Sequence, residues 1–354
     1  MKEKHFFAGN NTSKGFFSYF DNSINPSELN RIYILKGGPG VGKSSFMKKF
    51  CNRMKEKDFS IEYIHCSSDN NSLDGVIIPE IKIAFVDGTA PHTIDPKIPG
   101  VVDEIVNLGA YLDNNQLKKH KSQIIQINEA KSQLYKSAYR YLKSAGIVFE
   151  EINSIYDKFT DKEKFESVCN EAIKKIYPND LHDIKHSKIK KSFSESYTAN
   201  GYIKHTNSLC QGKKILAIIG ENSNYTSKLL DKILVEGIRK GYDVECFYRP
   251  LNPEKLQHLL IPELNLMVIS TEEILNENYD EIINLHEIMD VKKMQNHISE
   301  IENNLQIFDL LIKNALNKLS ETKKQHELLE IFYINSMDFK SVDKCLENIL
   351  TLYL

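Results

Sequence analysis

The chain has 354 residues, enough for two domains with separate hydrophobic cores. It carries 46 basic and 48 acidic side chains, so the formal net charge of −2 gives no overall electrostatic signal for nucleic acid or anionic membrane. The six cysteines are scattered without a CxxC pair, and no segment approaches the length of a membrane span. We therefore expect a cytoplasmic protein with no disulfide framework, no zinc site and no membrane contact.

A glycine-rich loop is predicted directly after the first clear strand. The apolar run RIYIL (31–35) predicts a buried strand, and SSFMKKFCNRMKEK (44–57) has helical periodicity. Between them GGPGVGKS (37–44) fits the phosphate-loop pattern GxxxxGK[ST], in which backbone N–H groups and a helix N-terminus hold phosphate. The predicted ATP contacts are Gly37, Gly38, Pro39, Gly40, Val41, Gly42, Lys43, Ser44 and Ser45. A glycine-rich turn without function is the alternative.

The predicted metal site follows another apolar run, IKIAFVD (81–87). We expect its last residue, Asp87, to hold Mg²⁺ together with the Ser44 hydroxyl, while Lys43 reaches the β and γ phosphates. An ordinary strand-end aspartate is the alternative. A further strand is predicted at IEYIHC (61–66), and the β-α-β-β order favours an α/β sheet that binds ligands at the carboxyl ends of its strands.

The chain is predicted to be an internal duplication. Residues 32–87 align without gaps to residues 183 positions later, and both copies contain Ile-Pro-Glu. The offset falls to 177 for DEIVNLGAYLD (103–113), and KFESV (164–168) suggests an offset of 174 near the end. Such a long match in one order is hard to obtain by chance.

We expect two α/β repeats, residues 1–190 and 191–354, joined by a basic linker within residues 182–192. Each repeat is predicted to be a three-layer sandwich of the P-loop NTPase type, followed by long amphipathic helices.

The differences between the repeats separate the scaffold from the candidate active site. The key substitutions, first half to second, are Gly40 to Ser223, Gly42 to Tyr225, Lys43 to Thr226 and Asp87 to Ser270. Bulky side chains in place of glycine close the concavity of the loop, and the loop lysine is absent. The sequence therefore predicts one ATP site in the first half and a degenerate copy in the second.

The loop after the predicted metal-binding strand is longer in the first half. Residues 88–102 correspond to the shorter segment 271–279. Thr89 and His92 are therefore candidates for sensing phosphate, orienting water or gripping a second substrate. A proline-rich crossover loop is the alternative. His65 and Asp69 are weaker candidates by the same comparison.

Each half ends in a long stretch with a/d heptad spacing, in residues 124–159 and 298–319. We expect helices that pack within a domain or on each other, with Gly146 as a possible break into a hairpin. A coiled-coil arm that binds a protein partner is the alternative.

A family resemblance is carried by three segments, GGPGVGKS, HCSSDNNSLDGVIIPE and VDGTAPHTIDPKIPGVVDEIVNLG. Through them the chain resembles a family of tandem P-loop ATPases from Gram-positive bacteria, some of them labelled nucleotide kinases. The resemblance covers most of the chain. It implies ATP binding at residues 37–45 and Asp87, and it supports roles for Thr89 and His92. Some members of the family have a better-formed glycine loop in the second half, and Tyr225 and Thr226 are departures from that pattern.

These patterns favour a Mg²⁺-dependent ATPase. The alternatives are a kinase that passes the γ-phosphate to a small molecule or nucleotide, and a nucleotide-controlled assembly adaptor in which hydrolysis is incidental. A transition-state arginine would come from a short list, with Arg249 and Arg140 as candidates. Nucleic acid binding has no support beyond the basic linker.

Overall fold

The computed structural model describes residues 3–91, 93–178, 186–272 and 279–353. It is a mixed α/β molecule in which both halves have the same order of elements. The strands of the first half are β1 (Glu3–Phe6), β2 (Gly9–Thr12), β3 (Gly15–Ser18), β4 (Arg31–Lys36), β5 (Ile61–His65), β6 (Leu73–Ile78), β7 (Ile83–Asp87) and β8 (Asp103–Asn107). Its helices are α1 (Phe20–Ser23), α2 (Lys43–Lys55), α3 (Asn114–Lys119), α4 (Lys121–Lys158) and α5 (Lys162–Ile176).

The second half repeats this series. Its strands are β9 (Ile189–Ser192), β10 (Glu195–Thr198), β11 (Gly201–Lys204), β12 (Lys214–Ile219), β13 (Val244–Tyr248), β14 (Leu256–Ile261), β15 (Leu266–Thr271) and β16 (Glu281–Asn284). Its helices are α6 (Thr206–Cys210), α7 (Ser223–Arg239), α8 (Val291–Met294), α9 (Ile298–Ile334) and α10 (Phe339–Leu350).

Each half forms a six-stranded mixed sheet. The strand order is β1-β5-β6-β7-β4-β8 in the first sheet and β9-β13-β14-β15-β12-β16 in the second, so the topologies are equivalent. Only β6 and β14 run antiparallel to their neighbours within these sheets. The predicted duplication of an α/β unit is thus consistent with the structure.

The repeat also includes the start of each half, which the sequence analysis missed. The hairpin β2–β3 corresponds to β10–β11 at an offset of 186, as in Phe7 and Phe193 or Gly15 and Gly201. The predicted linker is wrong in its last part, because Ile189–Ser192 pairs with β13 at the edge of the second sheet. Lysines are common on edge strands, where they discourage pairing with other chains, so this strand looks like a linker in sequence.

The two sheets share the core between them. Their facing surfaces meet in one hydrophobic cluster, with Ile34 and Val86 from the first sheet and Phe247 and Met267 from the second. Helices α2 and α10 cover the outer face of the first sheet, and α5 and α7 cover that of the second. This arrangement differs from the separate three-layer sandwiches predicted for each half, because the second face of each sheet is covered by the other repeat.

The last helix of each half packs on the opposite half. Val342 and Leu346 of α10 lie in the core with α2 and the first sheet, whereas Phe165 and Cys169 of α5 lie in the core with α7 and the second sheet. Each helix has one apolar face at helical spacing, so it must pack on a sheet, and the two-fold arrangement of the halves determines that this is the sheet of the opposite half.

Reciprocal backbone bonds fix this exchange. The Asp161 amide donates to Ile288 O at 2.8 Å, and the equivalent Asp338 amide donates to Tyr111 O at 3.0 Å. Both aspartates also cap the following helix. These pairs keep the offset of 177 to the end of the chain, so the predicted offset of 174 is wrong.

Helices α4 and α9 pack on each other along their length, which confirms the expectation that the equivalent helices associate. Ala138 and Leu142 of α4 meet their equivalents Ala315 and Leu319 of α9 in a buried seam. The suggested break at Gly146 is wrong, because α4 continues through it. A Cβ there would lie 2.8 Å from Ser13 Cβ, so the glycine allows the helix to pass close to the turn between β2 and β3.

Candidate functional site

The glycine-rich loop connects β4 to α2 at the carboxyl edge of the first sheet. All the predicted ATP contacts, residues 37–45, lie in this loop and in the first turn of α2. Gly40 and Gly42 have φ angles of 71° and 90°, a region that side chains disfavour. The sequence therefore produces a turn that carries the chain directly into the start of a helix.

Lys43 and Asp87 meet beside the loop. The Lys43 ammonium donates to the carbonyls of Gly37 and Gly38 at 2.9 and 3.0 Å, and it lies 3.6 Å from Asp87 Oδ2. They converge because β4 and β7 are adjacent parallel strands, with Leu35 in register with Asp87. A buried cation and a carboxylate thus face the same loop.

Thr89 lies against Asp87. Both the backbone N–H and the hydroxyl of Thr89 donate to Asp87 Oδ1. These bonds orient the carboxylate and leave Oδ2 towards Lys43. In this geometry Thr89 positions Asp87. His92, the other candidate from this segment, lies outside the described residues.

The segment after Asp87 is tied to the end of β4. The Lys36 ammonium donates to Gly88 O at 2.8 Å, to Ile94 O at 2.7 Å and to Asp95 Oδ1 at 3.0 Å. This clamp keeps the segment near the glycine loop. Sequence analysis did not identify Lys36, although a lysine just before the glycines was visible.

Ser44 takes part in a scaffold contact that both halves share. Its hydroxyl oxygen accepts from the Leu73 amide at 3.1 Å, and the equivalent Ser227 hydroxyl donates to Leu256 O at 2.6 Å. The Ser44 oxygen keeps a second lone pair, so it can still act as a metal ligand.

Among the described residues no group of three or more His, Cys, Asp or Glu side chains is arranged to hold a metal. The predicted Mg²⁺ ligands are one hydroxyl and one carboxylate, which fits an ion that takes its other ligands from phosphate and water.

The glycine loop is covered by the end of α9, from the opposite half. A Cβ on Gly38 would lie 2.4 Å from the Tyr333 ring, and one on Gly40 would lie 2.9 Å from Glu330 O. Side chains larger than glycine are therefore excluded by this helix as well as by the turn.

Glu330 places a carboxylate on the loop. The carboxylate lies close enough to the Gly40 backbone to be affected by it, and His326 Nε2 lies 3.6 Å from Glu330 Oε1. The His326 hydrogen bond lowers the pKa of Glu330, and the Gly40 backbone adds to this effect against the opposing effect of burial. Glu330 is therefore ionised at neutral pH and lies beside a backbone donor of the kind that binds phosphate.

The same contact recurs in the second half. Ser223, the equivalent of Gly40, donates its N–H to Asn153 Oδ1 at 2.8 Å, and Asn153 is the equivalent of Glu330. Each loop is thus capped by the long helix of the other half. Sequence analysis missed both residues, although the 177 offset would have aligned them.

The second loop is closed by its own side chains. Tyr225 packs edge-on against Phe165, with ring centroids 4.7 Å apart, and Thr226 is buried where the first half has Lys43. Arg249 bonds to Thr226 and Ser270 within the second half. Arg140 is exposed on α4.

The two weaker candidates lie in other networks. His65 Nε2 is 2.9 Å from His5 Nδ1, and its Nδ1 is 3.0 Å from Asn70 O. Asp69 accepts from Lys323 of α9 at 2.9 Å. His65 thus belongs to a histidine cluster, and Asp69 links the first half to α9.

The chain matches no protein-family model, no curated protein and no solved structure. Within the part of the chain that the structure describes, none of the helices combines the length and the hydrophobicity that crossing a bilayer requires.

Proposed function

We propose that the protein is a Mg²⁺-dependent ATPase with one nucleotide site, formed by residues 37–45 and Asp87 of the first half. The observation that carries this proposal is the convergence of Lys43 and Asp87 beside a glycine loop that leads into α2. A lysine, a strand-end carboxylate and a helix N-terminus are the groups that stabilise a transferring phosphoryl group.

The residues have distinct roles in this proposal. Lys43 exchanges the carbonyls of Gly37 and Gly38 for phosphate oxygens, and the amides of the loop hold the remaining oxygens. Ser44 and Asp87 would hold Mg²⁺, which would supply positive charge to neutralise the phosphates. Water attacks the γ-phosphorus, the bond to the bridging oxygen breaks, and ADP, phosphate and the proton lost by the water leave to solvent. Thr89 keeps Asp87 oriented.

The protein would act in the cytoplasm. Among the described residues the cysteines form no disulfide, as a reducing compartment favours.

The test is ATP turnover by the full chain with matched lysine variants. We expect Lys43→Ala to lower kcat/KM by about 100-fold or more, because the charge that stabilises the transferring phosphoryl group is lost. Lys49→Ala on the exposed side of α2 is the control and should leave turnover unchanged. Equal turnover in the two variants would contradict the proposal.

A nucleotide-controlled adaptor is the second candidate, favoured by the contacts of Glu330 and Tyr333 with the loop. Phosphate on the Gly40 amide would displace the Glu330 carboxylate and so affect the end of α9. Hydrogen exchange in residues 323–334 should then change when ATP binds. No change in that segment would count against the adaptor, while leaving the ATPase proposal intact.

A kinase stays a prediction from the sequence. It requires an acceptor that strongly stimulates ATP consumption, and a panel of nucleotides and small metabolites tests this directly.

A further inference from the structure

A cleft of about 640 Å³ opens at the carboxyl edge of the second sheet. It lies beside the degenerate loop and includes Gly220, the equivalent of Gly37, and Ser270, the equivalent of Asp87. The loss of the glycine loop has therefore not filled this side of the second half.

A guanidinium lines the cleft. Arg249 Nη2 donates to Thr226 Oγ1 at 2.8 Å and to Ser270 Oγ at 3.2 Å, and Nε lies 3.4 Å from Ser227 Oγ. In sequence Thr226 and Ser270 replace Lys43 and Asp87, and Ser227 is the equivalent of Ser44. The cation lost with the loop lysine is thus supplied again, from the end of strand β13.

The charge of Arg249 has no counter-ion close by. Among the described residues none of the carboxylates lies within ion-pair distance of it, and Nη1 has no hydrogen-bond partner. Glu195 and Glu272 act on it only through space, and burial lowers the pKa of the guanidinium. A half-buried cation without a carboxylate partner is costly, and an anionic ligand would reduce that cost.

The walls of the cleft have gained polar groups that the first half does not have. Glu195 and His258 stand where the first half has Gly9 and Gly75. In the first half a Cβ on Gly9 would lie 2.5 Å from the Phe16 ring, and one on Gly75 would lie 3.0 Å from Phe85 O. The second half has made room for an acidic and an imidazole side chain, so its changes are more than the decay of an ATP site.

Two buried polar atoms in the cleft have no hydrogen bond. His258 Nδ1 accepts from the Ser270 amide at 3.1 Å, which places the proton of the neutral ring on Nε2. His258 Nε2 lies 3.8 Å from Glu195 Oε1, beyond hydrogen-bond distance. Gln257 Oε1 also has no partner, although Gln257 Nε2 donates to Glu195 at 2.9 Å. Both side chains are less than a tenth exposed. Unpaired atoms of this kind are rare in protein interiors and fit a site that a ligand completes.

We propose that this cleft binds a small phosphate monoester, with the phosphate on Arg249 and hydroxyl groups of the organic part on Gln257 and Glu195. The free Nη1 of Arg249 and the Ser270 hydroxyl, which accepts from Arg249 and keeps its own proton to donate, lie side by side as donors for phosphate oxygens. Gln257 and Glu195 offer acceptors for hydroxyl groups. Phe149 and Phe308 line the cleft with ring centroids 5.4 Å apart and give the organic part an apolar surface.

Calorimetry on the full chain carrying Lys43→Ala tests this proposal. The probes are inorganic phosphate, ribose 5-phosphate and AMP, which share the phosphate and differ in the organic part. We expect one site per chain for at least one ester. Arg249→Gln should weaken this binding by about tenfold or more, as expected for the loss of a charge-assisted contact. Arg239→Gln, on the exposed end of α7, is the control and should leave it unchanged.

A second variant keeps the test decisive if Arg249→Gln fails to fold. Ser270→Asp would place beside Arg249 the carboxylate that the first half has at this position, so it should abolish binding of the ester while raising the melting temperature. Unchanged affinity in Arg249→Gln, binding that survives Ser270→Asp, or no binding of any of the three probes would overturn the proposal. The outcome is independent of the proposed ATPase function, because the first loop lacks its lysine throughout.

Discussion

Phe7 and Phe193 occupy equivalent positions in the two repeats and exchange two backbone hydrogen bonds of 2.8 Å. A residue that bonds to its own equivalent lies next to a two-fold axis, as at the interface of a symmetric dimer. Nearby, Asn11 Nδ2 donates to the carbonyl of its equivalent Tyr197 at 2.8 Å. The two halves are thus arranged as a symmetric dimer within one chain, with exchanged terminal helices.

The exchange of helices predicts that the first half depends on the end of the chain. Leu346 of α10 is buried against the core of the first sheet, so Leu346→Ala should lower the free energy of unfolding by about 2–5 kcal/mol. Chemical denaturation of the full chain measures this. Leu352→Ala, at a side chain that is 67% exposed, is the matched control and should have little effect. Equal stability of the two variants would contradict the assigned packing of α10.

The contact between Glu330 and Gly40 predicts a variant with higher affinity for ATP. Glu330→Gln removes a negative charge that competes with phosphate for the loop amide, so the Kd for ATP should fall by about three- to tenfold. Glu327→Gln makes the same change at an exposed position of the same helix and should leave Kd unchanged. An unchanged or weaker affinity in Glu330→Gln would show that this carboxylate does not compete with nucleotide.

The histidine cluster predicts a dependence of stability on pH. The rings of His65 and His205 stack with centroids 4.3 Å apart, and burial, with a smaller effect of neighbouring charges, lowers their pKa values to about 4 and about 3. His5 belongs to the same cluster. Burial lowers its pKa, while Glu3 acts to raise that pKa and Lys55 acts to lower it.

An unfolded histidine has a pKa of about 6.5, so the unfolded chain binds more protons below that pH. Stability from the cluster is therefore complete above about pH 6.5 and is lost as pH falls towards 4. Unfolding free energies at about pH 4.5 and 7.5 measure this, and His205→Gln should reduce the difference. His297→Gln, at a partly exposed ring, should not change it. The same pH difference in wild type and His205→Gln would refute this account.

The local parts of the fold and of the site could be predicted from sequence. The strands before the loop and before Asp87 are continuous apolar runs, and the glycine spacing by itself identifies the loop. Comparison of the halves also identified Lys43 and Asp87, which the structure brings to 3.6 Å. These features depend on neighbouring residues in the chain, which sequence patterns describe well.

The features that depend on tertiary packing were missed. The similar residues of KFESV (164–168) and DFKSV (338–342) favoured an offset of 174. The helix caps Asp161 and Asp338 are equivalent, however, and they show that the offset stays at 177. With the correct register, Asn153 and Glu330 would have aligned. Their contacts with the opposite loops follow from the two-fold arrangement, as does the exchange of α5 and α10, and sequence periodicity carries no information on either.

Calorimetric titration of Mg²⁺-ATP into the full chain and into Lys43→Ala tests the central claim most directly. The account predicts one site per chain in the wild type and loss of that site in the variant, since the second half has Thr226 where the first has Lys43. Two sites per chain, or a site that persists in Lys43→Ala, would contradict it.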